Sequence, residues 1–240
     1  IIQERIYKGF LLTAPKNSLI IDAPGIIGIF AAFAVCAGHR VMVFEPYPRN
    51  MRKIAQSIAI NNWVDKVQLI NAHPWDHLGT QQGHGSWLEN SGILNAGMAS
   101  LADRQLLAER ISAGADRSID KYEAKKVLID NYVTEPVYLL KLDTEGCDCH
   151  ALMGAKNLFA NYGVRYVMIQ MEFESYTACK CSVPKVVAFF NAFDYEFFEM
   201  GSGSFVPAQA VKDKVNKRGY AEDFVLKKKG DEFPIDAFAK

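Results

Sequence analysis

The sequence has no surplus of either charge: 27 Lys and Arg stand against 27 Asp and Glu. Bulk electrostatic attraction to nucleic acid or to an anionic membrane is therefore excluded as a driving force. It has no N-x-[ST] sequon, which counts against a glycosylated secreted protein, and no internal repeat. It also has no unbroken apolar run long enough to cross a bilayer. The nearest, Leu19 to Gly38, contains Asp22, Pro24, Gly25 and Gly28, so it reads as a strand, a loop and a buried helix rather than a transmembrane segment. The first residue is Ile1 rather than Met, which leaves room for a targeting segment, an organellar one included, ahead of a chain expected to be soluble. The compartment is therefore not read from the sequence.

What is present is core material. Half of the 240 residues are hydrophobic and 12% are aromatic, enough for one α/β domain and too much for disorder. Residues 1–17 read as a helical extension with Ile2, Ile6 and Phe10 on one side, and 18–240 as a single domain. In that domain apolar runs alternate with helical patterns, the signature of a mostly parallel, doubly wound sheet. Seven core strands are expected: Ser18–Asp22, Arg40–Glu45, Val67–Ala72, Val137–Asp143, Val164–Phe173, Tyr195–Met200 and an antiparallel Asp223–Lys227. Helices are expected over Ile29–Ala37, from Asn50 as an N-cap, over Cys147–Ala160, and after a Ser182 cap. The polar, Gly-rich stretch from His73 to about Asp120 reads as a long functional loop with a helix over 101–111, followed by a side strand at Lys126–Tyr132. The basic Lys227-Lys228-Lys229 run reads as a solvated strand end.

Ligands of such sheets bind at the carboxyl ends of the strands, and three strings of chemistry fall there. Ile21-Asp22-Ala23-Pro24-Gly25-Ile26-Ile27-Gly28 joins the first strand to a helix N-terminus, where glycines let backbone approach a ligand. Phe44-Glu45-Pro46 ends the second strand with a carboxylate suited to ribose hydroxyls. Lys141-Leu142-Asp143-Thr144-Glu145-Gly146 ends the fourth, and its charges are costly to bury unpaired. Glu172 adds a carboxylate at the end of the next strand. Either these form a nucleoside-cofactor site or they are a structural ion-pair network.

These strings, with Asn95-Ala96-Gly97-Met98-Ala99-Ser100-Leu101 and Ala151-Leu152-Met153-Gly154-Ala155, resemble the FkbM-type methyltransferases over about Ser18 to Lys228. The resemblance implies a class I fold using S-adenosylmethionine (SAM) and, in active members, methyl transfer to oxygen on sugars or small metabolites. By that resemblance Asp22, Gly25, Gly28, Glu45 and Asp143 fall in the cofactor site. Asp143, Glu145, Lys141 and Glu172 become the candidate catalytic set. The family's loop reads Asp-x-Gly-Ala-Asn-x-Gly. Here Pro24 stands at the first glycine, removing a donor and fixing φ, and Ile26 stands at the asparagine, removing an amide.

The expected function is a methyltransferase-fold protein with a degenerate SAM loop, weak or non-catalytic, retained as a structural or interaction subunit of a larger assembly. The alternative is an active SAM-dependent O-methyltransferase with a small-molecule acceptor. No nucleic-acid partner and no metal are expected. Cys147-Asp148-Cys149-His150 and Cys179-Lys180-Cys181 follow neighbouring strands and are expected to lie close together. Unlinked thiols are the plain reading; zinc ligation and disulfides that leave Cys36 free are the alternatives. His73, His77 and His84 read as solvated loop residues.

Overall fold

The computed structural model describes residues 2–87, 98–100, 118–215, 217 and 221–234. Its main sheet has eight strands in the order β11-β10-β12-β9-β8-β1-β2-β3. The strands are β1 (Leu19–Ala23), β2 (Arg40–Phe44), β3 (Val67–Ile70), β8 (Val137–Leu142), β9 (Val164–Glu172), β10 (Tyr195–Glu199), β11 (Phe205–Val206) and β12 (Ala221–Lys228). β3, β2, β1, β8 and β9 run parallel, and β12 pairs antiparallel with both β9 and β10. The seven expected strands are all present. The eighth, β11, falls between the last two expected strands, where two residues suffice to pair with β10.

Every residue of β1 and of β8 is buried, as expected of parallel strands covered on both faces. Alternation along β1 divides the core. Leu19, Ile21 and Ala23 pack with Val186, Val187 and Phe190 of the Val183–Ala192 helix on one face. Ile20 packs with Ile6, Phe10 and Ala34 on the other, so the Ile2–Thr13 helix covers that face. The chain steps from β1 to β2 and β3 on one side and then crosses back to β8 on the other side of β1, which makes the boundary between β1 and β8 the switch point where such folds open a crevice.

The stretch expected as a long loop forms a second sheet instead. β4 (His73–Pro74), β5 (Gly79–Trp87), β6 (Met98–Ser100) and β7 (Ser118–Val127) lie in the order β4-β7-β5-β6. Gln81, His84 and Tyr122 pair in register across the β5–β7 ladder with Ala124, Lys121 and Gly83, a pairing that the glycines of β5 hid from any apolar alternation. The expected side strand at 126–132 is therefore the end of β7 followed by a 3-10 turn at Ile129–Asn131. The expected helix over 101–111, and the Asn95–Leu101 string apart from β6, lie outside the described residues.

Four local expectations are corrected. The third helix starts at Pro48, not Asn50, and Asn50 is buried and bonded elsewhere. Ser182 is the N-cap residue of the Val183–Ala192 helix but makes no side-chain cap bond. The expected Cys147–Ala160 helix is broken into Asp148–Met153 and a π turn at Leu158–Tyr162. Gly154 sits at the break, where an added Cβ would lie 1.9 Å from the Trp75 carbonyl oxygen. Lys227 is not solvated: it is 8% exposed, 3.2 Å from Glu196, with its ammonium 5.0 Å from the Phe198 ring centroid. Among the described residues no helix is long and apolar enough to cross a membrane.

Candidate functional site

Asp22 of β1 and Lys141 of β8 are register neighbours. Their side chains therefore leave the sheet on one face, beneath the N-terminal helix. Lys141 Nζ is 3.7 Å from Asp22 Oδ1 and 3.7 Å from Asp143 Oδ2. Asp22 and Lys141 are buried, while the Asp143 side chain is 19% exposed at the crevice edge. The Phe30 ring lies 4.7 Å from the ammonium, and Tyr7 meets Phe30 edge-on at 4.8 Å. Burial pushes Asp22 up to about 6 although the Lys141 charge opposes it. Burial also favours neutral Lys141, but Asp143 and Asp22 outweigh it and hold its pKa above the ordinary value. The Tyr7 hydroxyl is buried in this cluster without a hydrogen-bond partner.

The 23–28 loop runs between Asp143 and Glu45. Asp143 N–H donates to the Ala23 carbonyl at 2.9 Å, and on the other side Ile26 N–H donates to Glu45 Oε2 at 2.8 Å. Gly25 N–H donates to the Phe44 carbonyl at 2.9 Å and Gly28 N–H to the Gly25 carbonyl at 2.7 Å. Pro24 has no N–H to offer. These loop donors are thus spent on the protein itself. Both glycines are also seated closely against the protein: a Cβ on Gly25 would lie 2.3 Å from Val43 Cγ1, and one on Gly28 3.2 Å from Ile54 Cγ1. Ile26 has φ +52°, a left-handed conformation that is costly for a β-branched residue and easy for asparagine.

Glu45 is 1% exposed. Its Oε1 accepts the Tyr47 N–H at 2.8 Å and an Asn50 Nδ2–H at 3.3 Å, so three donors converge on one carboxylate. Burial nonetheless pushes its pKa up to about 8, against the pull of those donors. The second sheet leans on the same place: Tyr47 packs 5.1 Å from the Tyr122 ring, and its hydroxyl donates to Asp120 at 2.8 Å. Arg49 holds Asp120 at 2.6 Å.

At the end of β8, Glu145 and Gly146 both have positive φ, +54° and +89°. Asp148, fully buried, accepts from the Thr144 N–H at 3.1 Å and the Thr144 hydroxyl at 2.6 Å, and burial pushes it up to about 6. Glu172, last residue of β9, accepts a hydrogen bond from Ser175.

Asp22, Lys141 and Asp143 thus converge directly. Glu45 lies across the loop from them, and Glu145 and Glu172 rim the β8 and β9 ends. Sequence reasoning missed Tyr7, Phe30, Asn50 and Asp148. Asp148 was hidden between two cysteines, and Asn50 was explained away as a cap.

Unlinked thiols are corrected outright. Cys147 is bonded to Cys179 and Cys149 to Cys181, with Cα separations of 5.3 and 5.7 Å, and Cys36 is free. No group of three or more His, Cys, Asp or Glu side chains among the described residues is arranged to hold a metal. Of the loop histidines, His77 is exposed as expected and His73 is not. His73 is 4% exposed and burial pulls it down to about 4. His77 and His150 both hydrogen-bond Asp76, His150 at 2.8 Å.

Residues 26–197 match the model of the methyltransferase FkbM domain. Among solved structures, an FkbM methyltransferase from Methylobacillus flagellatus superposes with a TM-score of 0.52 at 11% identity, covering 88% of this chain. This chain spans only 43% of that protein. A putative methyltransferase from Streptococcus mutans, solved in complex with SAH, gives 0.52 at 14% identity over 95% of this chain and 98% of its own. A putative rRNA-methylase from Clostridium thermocellum gives 0.50 at 14% identity over 96% of each. No curated protein matches. At these identities the structural likeness speaks for the fold alone.

Proposed function

The chain belongs to the FkbM methyltransferase family, and we propose that within it this protein has a weakened SAM site and no longer depends on methyl transfer. The observation that carries the reading is Glu45. The carboxylate placed to meet ribose hydroxyls is buried and already accepts three protein N–H donors. A ribose hydroxyl would have to share this buried carboxylate with the Ile26, Tyr47 and Asn50 donors, so the hydrogen bond it adds nets little. On the methionine side Pro24 supplies no donor, while Gly25 and Gly28 N–H are bonded within the protein. In this arrangement the residues present do not fit SAM, so no reaction step is routed through it.

Retention as a subunit of a larger assembly is the role that suits a preserved fold with a closed crevice. Ile60 and Val64, 83% and 69% exposed at one end of the third helix, are apolar side chains that a protein partner would cover. The second reading, an active O-methyltransferase on a sugar or small metabolite, is favoured by one feature. The Lys141–Asp143 pair reaches the crevice edge with Asp143 still part-exposed, placed to orient a hydroxyl or take its proton.

Titration calorimetry of SAM and of S-adenosylhomocysteine into the purified chain separates the two. The first reading expects dissociation constants near millimolar or no heat. A micromolar constant for either ligand overturns it and moves the enzyme reading ahead.

A further inference from the structure

The carboxyl ends of β8 and β9 are joined by more than their ladder. Gly146 lies against the Phe173–Ala178 helix that follows β9, where a Cβ would fall 2.2 Å from the Ser175 carbonyl carbon. Ser175 in turn donates to Glu172. Directly after Gly146 comes the Cys147–Cys179 bridge, and two residues further the Cys149–Cys181 bridge, each closing a sequence separation of 32. The four cysteines are between 1% and 7% exposed. Cys149 N–H also donates to Cys181 Sγ at 3.1 Å. From outside, Trp75 stacks on His150 at 4.2 Å, and His150 Nε2 lies 3.3 Å from the Cys179 carbonyl oxygen.

We propose that the two bridges are a redox-set clamp that fixes the 173–181 segment, and with it Glu172, against the Asp143–Gly146 turn. The C-x-C pairs meet in parallel, first to first and second to second, so one bridge aligns the thiols of the other. Each forms by thiol–disulfide exchange with a protein or small-molecule disulfide. Two thiols give up two protons and two electrons, and the donor disulfide becomes two thiols. Such donors act on folding chains in oxidising compartments, whereas a reducing cytosol keeps thiols free. The clamp therefore assigns the chain to an oxidising compartment, and the crevice it borders to ligands met there. The bridges stand whether or not the crevice takes SAM.

The test begins with the whole chain equilibrated in a mixture of oxidised and reduced glutathione, denatured and alkylated with N-ethylmaleimide. One label per chain, on Cys36, with peptides linked 147–179 and 149–181, is the expected map. Labels on all five cysteines, or crossed 147–181 and 149–179 links, overturn the proposal. Hydrogen exchange then reads the clamp itself. On reduction, amides of 173–181 are expected to exchange roughly tenfold faster or more, the equivalent of about 1.4 kcal/mol of local opening, while β1 and β8 amides hold. Unchanged exchange in 173–181 refutes the clamp even if the bridges form. Should full reduction unfold the chain, the Cys149→Ser/Cys181→Ser variant, which keeps one bridge, is measured instead. Exchange in its 173–181 segment equal to that of the unmodified chain refutes the clamp in the same way.

Discussion

The Ile26 N–H and the Glu45 carboxylate meet at 2.8 Å, so the loop that follows β1 is tied directly to the side chain at the end of β2. Ile26 reaches that position only by adopting φ +52°. That left-handed backbone suits an asparagine, the residue of the resembled loop at this position, better than it suits isoleucine. A left-handed conformation costs a residue with a Cβ about 1–2 kcal/mol, and a β-branched one falls at the upper end. Ile26→Asn is therefore expected to stabilise the fold by about 1 kcal/mol, read from urea midpoints at constant m. Ile26 is half-buried, and a destabilised Ile26→Asn variant would show that its apolar contacts outweigh the strain.

Glu45 gives stability a pH dependence of defined sign. Its pKa is raised from 4.5 to about 8 in the folded state. Between those values the unfolded chain loses its proton first, so the native state binds more protons. Stability is then fully present below about 4.5, falls as pH rises, and levels off above about 8. Unfolding midpoints between pH 5 and 8.5 are expected to decline, and Glu45→Gln to flatten the decline. Asp22 and Asp148, each raised to about 6, add to the slope at and below that pH, so the window from about 7 to 8 isolates Glu45. His73, lowered to about 4, works oppositely below its ordinary range. An identical slope in the Glu45→Gln variant between about pH 7 and 8 would remove Glu45 as its source.

The alternation of strands and helices was legible because β1 and β8 are apolar on both faces, and a five- or six-residue buried run admits few other readings. Asp22, Glu45 and Asp143 were legible as strand-end carboxylates for the same reason: a charge is conspicuous where its neighbours are Leu and Ile. The second sheet was not legible, since Gly79, Gly83 and Gly85 carry no apolar alternation and their partners lie some forty residues away. Nor was the closed state of the loop, which depends on where Ile26 N–H points. The cysteine spacing suggested proximity, but pairing needed the Cα separations.

Two glycines test how tightly the β8 end and the second sheet are seated. Gly154 and Gly146 each lack room for a methyl group, meeting the Trp75 carbonyl oxygen at 1.9 Å and the Ser175 carbonyl carbon at 2.2 Å. In both cases the obstacle is backbone and cannot rotate away. Gly38 has φ +92° but nothing within 4 Å. Gly38→Ala is expected to cost about 1 kcal/mol through conformation alone. Gly146→Ala and Gly154→Ala are expected to cost about 3 kcal/mol or more, in the range reserved for overpacking and strain. Chemical denaturation of the three variants ranks them, and equal losses at Gly38 and Gly146 would contradict the close approach.

Lys141 decides whether the buried charges are a pair or a liability. It is the cation 3.7 Å from Asp22, whose carboxyl is fully buried. Lys141→Met removes that cation and with it the largest opposition to burial at Asp22, so near neutral pH the loss is expected to be about 3–5 kcal/mol. The sign of its pH dependence follows from the proton that Asp22 can take up. In acid the carboxyl protonates and the missing cation matters little. As pH climbs past about 6, where Asp22 ionises with Lys141 present, the variant must either bury a lone charge or hold a proton against the solution. The gap between Lys141→Met and the unmodified chain should therefore widen from pH 5 to pH 8. Adding Asp22→Asn should close most of it, because an amide carries no charge to strand. A gap that stays constant with pH, or that the second substitution leaves intact, would mean that Lys141 stabilises through its contact with Phe30 rather than through Asp22.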